Sequence, residues 1–208
     1  MASGAKQQAN GRLLLASYAT SSRLVRCRES AYASCMLLKP IAFLDRDGVL
    51  NIDRAYLYKK EEFVFVEEAP QAVRWLNERG FLVVIVTNQS GIARGYYSEA
   101  QFAALTEWMK AELIARGARV DAVYYCPHHP TEGVGSYCCE CDCRKPKPGM
   151  LLRALAELSG DSARSFLIGN NPRDVDAAHA AGLAGHLYLN GSLLSFVTSV
   201  VNSMDASR

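Results

Sequence analysis

The sequence predicts an α/β fold, a doubly wound parallel sheet with helices on both faces, and three observations carry that prediction. Apolar runs of strand length recur at residues 41–44, 81–86, 122–125 and 166–168, as strands buried on both faces require. Helical stretches alternate with them, which is the pattern of βαβ units. The first, second and fourth runs end in polar tips containing glycine, the place where open α/β sheets put their ligand sites.

Residues 1–40 are rich in Ala, Ser and Arg and hold six Lys/Arg against one Glu, whereas the remainder holds 17 Lys/Arg against 20 Asp/Glu. That composition fits a disordered extension over residues 1–39 first and an organelle transit peptide second; either lies outside a fold that starts near Lys39. The run 41–44 leads straight into Asp45-Arg46-Asp47-Gly48. With the two-residue period of extended chain, Asp45 and Asp47 start on one side and can face one cation or one reacting group. Gly48 allows the sharp turn that follows. A solvated acidic loop explains poorly why the acids follow an apolar run directly, and an EF-hand would need an oxygen ligand where Val49 stands.

Residues 53–66, with the alternation Phe63-Val64-Phe65-Val66, read as a short excursion or hairpin beside this tip. Ala72, Val73 and Leu76 at helical spacing place a helix over 69–79, closed by Gly80. The run 81–86 ends in Thr87-Asn88-Gln89-Ser90-Gly91, whose hydroxyl, amide and backbone N–H groups can cradle a phosphate without titrating, although the same residues are ordinary turn chemistry. Ser98 and Gln101 make a capping box for a helix carrying Phe102, Leu105, Met109 and Leu113 to Gly117, with Trp108 and Met109 as core or shoulder residues.

After the third run, 122–125, comes a cysteine-rich segment. Pro148 lies in the first turn of the next helix. The fourth run has its tip at Gly169-Asn170-Asn171, with Asp174 just beyond, and a helix follows through Ala181 to Gly182. A further strand is expected over 186–189, then a short terminal helix carrying Leu193, Leu194, Phe196, Val197 and Val200, and a frayed end.

Five of the seven cysteines lie between Cys126 and Cys143, and the N-terminus lacks the apolar core of a secretory signal, so metal in a reducing compartment is favoured over a secreted disulfide scaffold. Cys126-x-His128 and Cys141-x-Cys143, with twelve residues between the pairs, can close a tetrahedral Cys₃His site of the kind zinc takes in structural roles. Cys138, Cys139 and His129 are spare ligands. Such a site leaves no open position for water, so the metal shapes a loop, and the loop holds Arg144 and Lys145 where phosphate oxygens could arrive.

The mildly acidic body does not advertise nucleic-acid binding, and no apolar run reaches the length of a membrane span. Neither G-x-G-x-x-G after the first run nor a Walker A sequence is present, which removes the phosphate loops of dinucleotide and P-loop proteins. What converges at the strand ends suits phosphoryl transfer to an aspartate. A Mg²⁺ ion offsets charge repulsion while one Asp attacks phosphorus and the other serves as acid and then base.

The stretches FLDRDGVLN (43–51), VTNQSGIARG (86–95), YYCPHHP (124–130), CDCRKPKPGM (141–150) and the degenerate GNNPRDVDAA (169–178) resemble the haloacid-dehalogenase-like phosphatases, and among them the branch acting on heptose 1,7-bisphosphates. The resemblance implies a Rossmann-like sheet with a small zinc-stabilised loop, forming one phosphatase domain over residues 40–208. It implies Asp45 as nucleophile and Mg²⁺ ligand, and Asp47 as acid/base and as Mg²⁺ ligand through its carbonyl. Thr87 and Asn88 would bind the phosphoryl group, Gln89 and Arg94 would belong to the same substrate-binding stretch, Lys145 would fix the group beside Asp45, and Arg144 would reach the substrate. Cys126, His128, Cys141 and Cys143 would hold structural zinc.

The implied reaction is Mg²⁺-dependent removal of the 7-phosphate through an aspartyl-phosphate, by a cytoplasmic, usually monomeric enzyme acting on a small sugar phosphate. At the remaining Mg²⁺ position the family has Asp where this chain has Asn170, so a weaker divalent site is expected, with Asp174 the nearest surviving acid. A histidinol-phosphate phosphatase and a catalytically weakened sugar-phosphate-binding homologue are the rival expectations.

Overall fold

Ile41, Ala42, Phe43 and Leu44 form β1 (Ile41–Leu44), and all four are fully buried. The structure, a computed structural model, describes residues 38–206; apart from Leu38 and Lys39, the N-terminal extension expected over 1–39 lies outside the described residues. Lys39 is bridged in parallel to Gly160.

β1 is the central strand. It pairs in parallel with β2 (Leu82–Asn88) on one side and β4 (Phe166–Gly169) on the other, while β3 (Ala122–Cys126) and β5 (Ala184–Leu187) form the edges, giving the order β3-β2-β1-β4-β5. Register is set by Phe43 opposite Val84 and Leu167.

Among the described residues six α-helices accompany the sheet: α1 (Ala69–Glu78), α2 (Ser90–Ala93), α3 (Glu99–Ala115), α4 (Gly149–Glu157), α5 (Pro172–Ala180) and α6 (Leu193–Ala206). The period-2 geometry of the strands divides the core in two. Ala42, Leu44, Val83 and Ile85 join Leu76 of α1, Met109 of α3 and Val197 of α6 on one face. Ile41, Phe43, Val84 and Val86 join Leu151 of α4 and Ala177 of α5 on the other. The doubly wound prediction therefore holds, and the carboxyl ends of β1, β2 and β4 bring the three polar tips to one edge.

Three local expectations differ from the structure. The fifth strand lies two residues earlier than expected, because Gly185 gives the close approach that β5 needs to α5. A Cβ at Gly185 would stand 3.0 Å from that of Ala178. Tyr188, expected inside the strand, instead closes the core behind it. The terminal helix is longer than expected, at 14 residues, because its apolar stripe continues to Val201 and packs against α1. The 53–66 excursion forms no hairpin: it has a 3₁₀ turn at Lys60–Glu62, and residues 50–52 meet 64–66 through one bridge, Asn51 to Phe65. Among the described residues no helix is long and apolar enough to cross a membrane.

Candidate active site

Asp45 is the first residue beyond β1, and its N–H donates to the Ile168 carbonyl of β4 at 2.9 Å, which fixes its backbone between the two strands. Its carboxylate accepts from the Arg46 N–H at 2.7 Å and faces the Lys145 ammonium at 3.2 Å. The same ammonium stands 2.8 Å from Asp174 Oδ1 and donates to the Val86 carbonyl at 2.7 Å. Asp45, Lys145 and Asp174 are 6%, 2% and 0% exposed. One buried cation thus serves two carboxylates. Burial pushes the Asp45 pKa above its ordinary value, the Lys145 cation opposes this, and the charges of Asp174 and Asp47 add to the rise.

Lys145 is presented by a side-chain clamp. Asn88 Nδ2 donates to the Lys145 carbonyl and the Lys145 N–H donates to Asn88 Oδ1, each at 3.0 Å. Both ends of the Asn88 amide are thereby engaged with backbone. Thr87 is buried beside it, and its hydroxyl accepts from Gln89 Nε2 at 2.8 Å.

Asp47 lies in the turn after β1. The Arg46 guanidinium spans both Asp47 oxygens, with Nη2 at 3.0 and 2.9 Å, and also donates to the Leu57 carbonyl. Asn51 Nδ2 at 3.1 Å and Gln89 Nε2 at 3.0 Å complete the donors around the carboxylate. Arg46 is buried and stands over the Phe102 ring. Sequence reading passed over Arg46 and Asn51; the signal available was an arginine flanked by the two acids of an apolar strand's tip.

Gly48 has φ +83°, and a Cβ there would fall 2.0 Å from Asn170 Nδ2. Only glycine permits that approach, so the β1 and β4 tips meet at Asn170. Asp174, expected as the nearest surviving acid to the Mg²⁺ position, has a partner for each oxygen. Its Oδ2 accepts from the Asn171 N–H in a capping box at the start of α5, while Oδ1 faces Lys145.

The four predicted thiol and imidazole groups converge, with their ligand atoms all within 4.8 Å of one another. Cys126 Sγ to Cys141 Sγ is 3.5 Å, Cys141 to Cys143 is 3.3 Å, and Cys143 Sγ to His128 Nδ1 is 3.5 Å. Zn–S bonds of about 2.3 Å in a tetrahedron make edges of roughly 3.5–3.8 Å, so the cluster fits zinc. Burial pushes the Cys126 thiol up; at Cys141 burial also acts upward, but hydrogen bonds from Cys143 and Cys126 outweigh it and bring the thiol down. Cys141 is thus the readiest thiolate of the three. Cys138 and Cys139 lie outside the cluster.

Arg144 Nη1 donates to the His128 carbonyl at 3.1 Å, and Arg94 pairs with Glu132 beside His129. The cysteine loop therefore holds both arginines, rather than the carboxylates of Asp45 or Asp47. Glu99, which sequence reading passed over, accepts from the hydroxyls of Tyr125 and Tyr137 and fastens α3 to β3 and the loop.

A HAD-hydrolase-like family model matches residues 142–195. The D-glycero-beta-D-manno-heptose-1,7-bisphosphate 7-phosphatase of Pasteurella multocida is 54% identical over 144 residues, which is 69% of this chain and 78% of that protein. Its counterpart from Escherichia coli K12 is 49% identical over 144 residues, 69% of this chain and 75% of that one. Among solved structures, D,D-heptose 1,7-bisphosphate phosphatase from B. bronchiseptica, complexed with magnesium and phosphate, matches with a TM-score of 0.69 at 31% identity, covering 79% of this chain and 99% of that chain. Similarity of this degree, over most of both chains, makes this chain a phosphatase of the HAD-like hydrolases, a member of the heptose-1,7-bisphosphate 7-phosphatase family.

Proposed function

We propose that the chain removes the 7-phosphate of D-glycero-D-manno-heptose 1,7-bisphosphate through an aspartyl-phosphate on Asp45. The observation that carries this reading is the buried Asp45–Lys145–Asp174 arrangement at the carboxyl edge of the sheet, in a chain whose relatives bear that activity in their names. An Asp45 oxygen attacks phosphorus and the bond from phosphorus to the sugar oxygen breaks. Asp47 gives its proton to the leaving alkoxide. Asp47 then takes a proton from water, whose oxygen attacks the same phosphorus, and the Asp45–phosphorus bond breaks to release inorganic phosphate. Lys145 holds the phosphoryl oxygens against Asp45, and the Thr87 hydroxyl and the backbone beyond β2 receive the others.

The residues fit a magnesium ion by donor chemistry: the Asp45 carboxylate, the Asp47 carbonyl and the Asn170 amide oxygen are hard oxygens carried by the β1 and β4 tips, which approach each other at Gly48 and Asn170. A bound Mg²⁺ supplies positive charge that offsets the repulsion between carboxylate and phosphate. Phosphate release from the bisphosphate across a Mg²⁺ titration tests the reading. Substrate turnover well above that on histidinol phosphate supports the heptose assignment, and the reverse ranking overturns it. The same reading takes a monomeric cytoplasmic enzyme with a small sugar phosphate as its ligand, without nucleic-acid or membrane partners, and residues 40–208 as its one domain.

Asn170 offers a neutral oxygen where a carboxylate would bind the cation more strongly. Asn170→Asp is expected to lower the Mg²⁺ concentration for half-maximal rate by about tenfold; an unchanged midpoint would show that Asn170 does not limit the cation. In the zinc loop, Cys141→Ser is expected to lower zinc content measured by elemental analysis. Loosening of the loop that carries Arg144 and Lys145 should remove roughly 3 kcal/mol of stability, or about 6–12 °C in Tm. Full zinc occupancy with an unchanged Tm would refute the assignment.

A further inference from the structure

We propose that Tyr97 is a positioning residue for Asp47, acting through Gln89; the inference rests on the acid–base role given above to Asp47. The Gln89 side chain has one acceptor and one two-proton donor. Its Nε2 serves both Asp47 Oδ2, at 3.0 Å, and the Thr87 hydroxyl, at 2.8 Å. Its Oε1 accepts from the Tyr97 hydroxyl at 2.5 Å. All three partners of this relay on the β2 side, Tyr97, Gln89 and Thr87, are at least nine-tenths buried, so water does not stand in for a missing bond.

The Tyr97 hydroxyl fixes the amide from its acceptor end, as Asp47 does from its donor end. With a donor facing Oε1, the NH₂ end must face the carboxylate. Without that donor, Oε1 is left buried and unpaired and the amide is held from its NH₂ end alone, by Asp47 and Thr87, so its aim at the carboxylate is loosened. Burial pushes the Tyr97 hydroxyl up to about 12, so it keeps its proton through the neutral range.

The fold makes room for this ring. A Cβ at Gly91 would fall 2.2 Å from Tyr97 Cε1 and 2.9 Å from its hydroxyl oxygen, so the phenol lies across the only residue of α2 that has no side chain. Tyr58 stacks on its other side at 5.4 Å with an interplanar angle of 17°. Arg46 and Asn51 hold Asp47 directly from the β1 turn. Gln89 is the contact that comes from the end of β2, where the phosphoryl group is placed. Tyr97 therefore sets how the acid–base carboxylate is aimed relative to Thr87.

The test is a kinetic double-mutant cycle in the full chain with zinc bound. Tyr97→Phe keeps the ring and removes only the donor; it is expected to lower kcat about tenfold while KM and inhibition by inorganic phosphate stay within about twofold. Gln89→Leu cuts the relay at its centre, and adding Tyr97→Phe to it should change kcat by less than about twofold. An unaltered kcat in Tyr97→Phe, or losses that multiply in the double variant, would overturn the proposal, because a purely structural tyrosine acts independently of Gln89.

The measurement is run on heptose 1,7-bisphosphate and on p-nitrophenyl phosphate. A wild-type enzyme that hydrolyses only the aryl ester defeats the heptose reading, and the relay is then decided on that ester. Asp47→Asn is the control for the role on which the inference rests. If it retains wild-type turnover, that role and the relay fall together. If it is inactive while Tyr97→Phe behaves as wild type, only the relay falls.

Discussion

Asp45→Asn is expected to lower phosphate release by at least about 10³-fold, since it removes the nucleophile itself, while leaving the protein at least as stable as before. The second half of that expectation comes from the surroundings of Asp45. Its carboxyl is buried and faces a cation already shared with Asp174, and its pKa lies above the ordinary 3.8 chiefly because of burial. Above that value the unfolded chain has released a proton that the folded state still holds, so the contribution of Asp45 to stability falls as pH rises through the window up to the folded pKa. The amide variant escapes this fall. In metal-free protein its stability relative to wild type should therefore increase with pH across that window and be level below it. Denaturant melts at several pH values, paired with phosphate release at saturating Mg²⁺, check both halves. A variant that retains turnover removes Asp45 from the nucleophile's role, and one that is inactive but unstable shows that the carboxylate also holds the fold.

Lys145→Met should fail in both activity and stability. The substitution roughly preserves length and apolar stem, yet it leaves Asp45 and Asp174 buried without their shared cation and the Val86 carbonyl without its donor. Breaking a buried ion pair by deleting one partner costs about 3–5 kcal/mol, which for a chain of this size is roughly 6–20 °C in Tm. Loss of the cation at the phosphoryl site should also lower kcat by at least about 10²-fold. Adding Asp174→Asn to Lys145→Met removes the orphaned carboxylate that binds no substrate, so much of the stability should return while activity does not. Thermal melts and turnover of the single and double variants separate the two roles; recovery of activity in the double variant would show that Lys145 matters only as a counter-ion to Asp174.

Features written in neighbouring residues were legible from the sequence, and features written across the sheet were not. β1, β2 and β4 are apolar runs ending in Asp, Thr-Asn and Gly-Asn, and each tip lies where the alternation placed it. The ends of α3 were readable because Ser98, Gln101 and Gly117 act within one turn of the helix. The Cys/His cluster was readable because C-x-H and C-x-C each bring a pair of side chains together locally, leaving one long closure. β5 was displaced because Ala184 and Gly185 have weak strand preference, and Gly185 is there for its small size against α5. Asp47 and Gln89 are 42 positions apart, and Asn88 and Lys145 are 57 apart; no periodicity links such pairs, since the first meets through the parallel pairing of β1 and β2 and the second through the return of the loop after β3 to the end of β2. Asp174 shows the same limit in another form. The resemblance offered it as the surviving acid near the metal position, and its contact with Lys145, 29 positions upstream, could not be read from the sequence.

The amide clamp between Asn88 and Lys145 also bears on how this architecture can change over generations. A catalytic cation delivered on a long surface loop would ordinarily inherit every alteration in that loop's length and composition. Here the peptide of Lys145 is moored to the end of a central strand, and Cys141 and Cys143 converge with Cys126 just upstream. Insertions or deletions between His129 and Glu140 are therefore insulated from the reacting centre, and closing a longer loop adds entropy only logarithmically with length. The segment around Glu132 and Val134 can drift while the placement of Lys145 is kept.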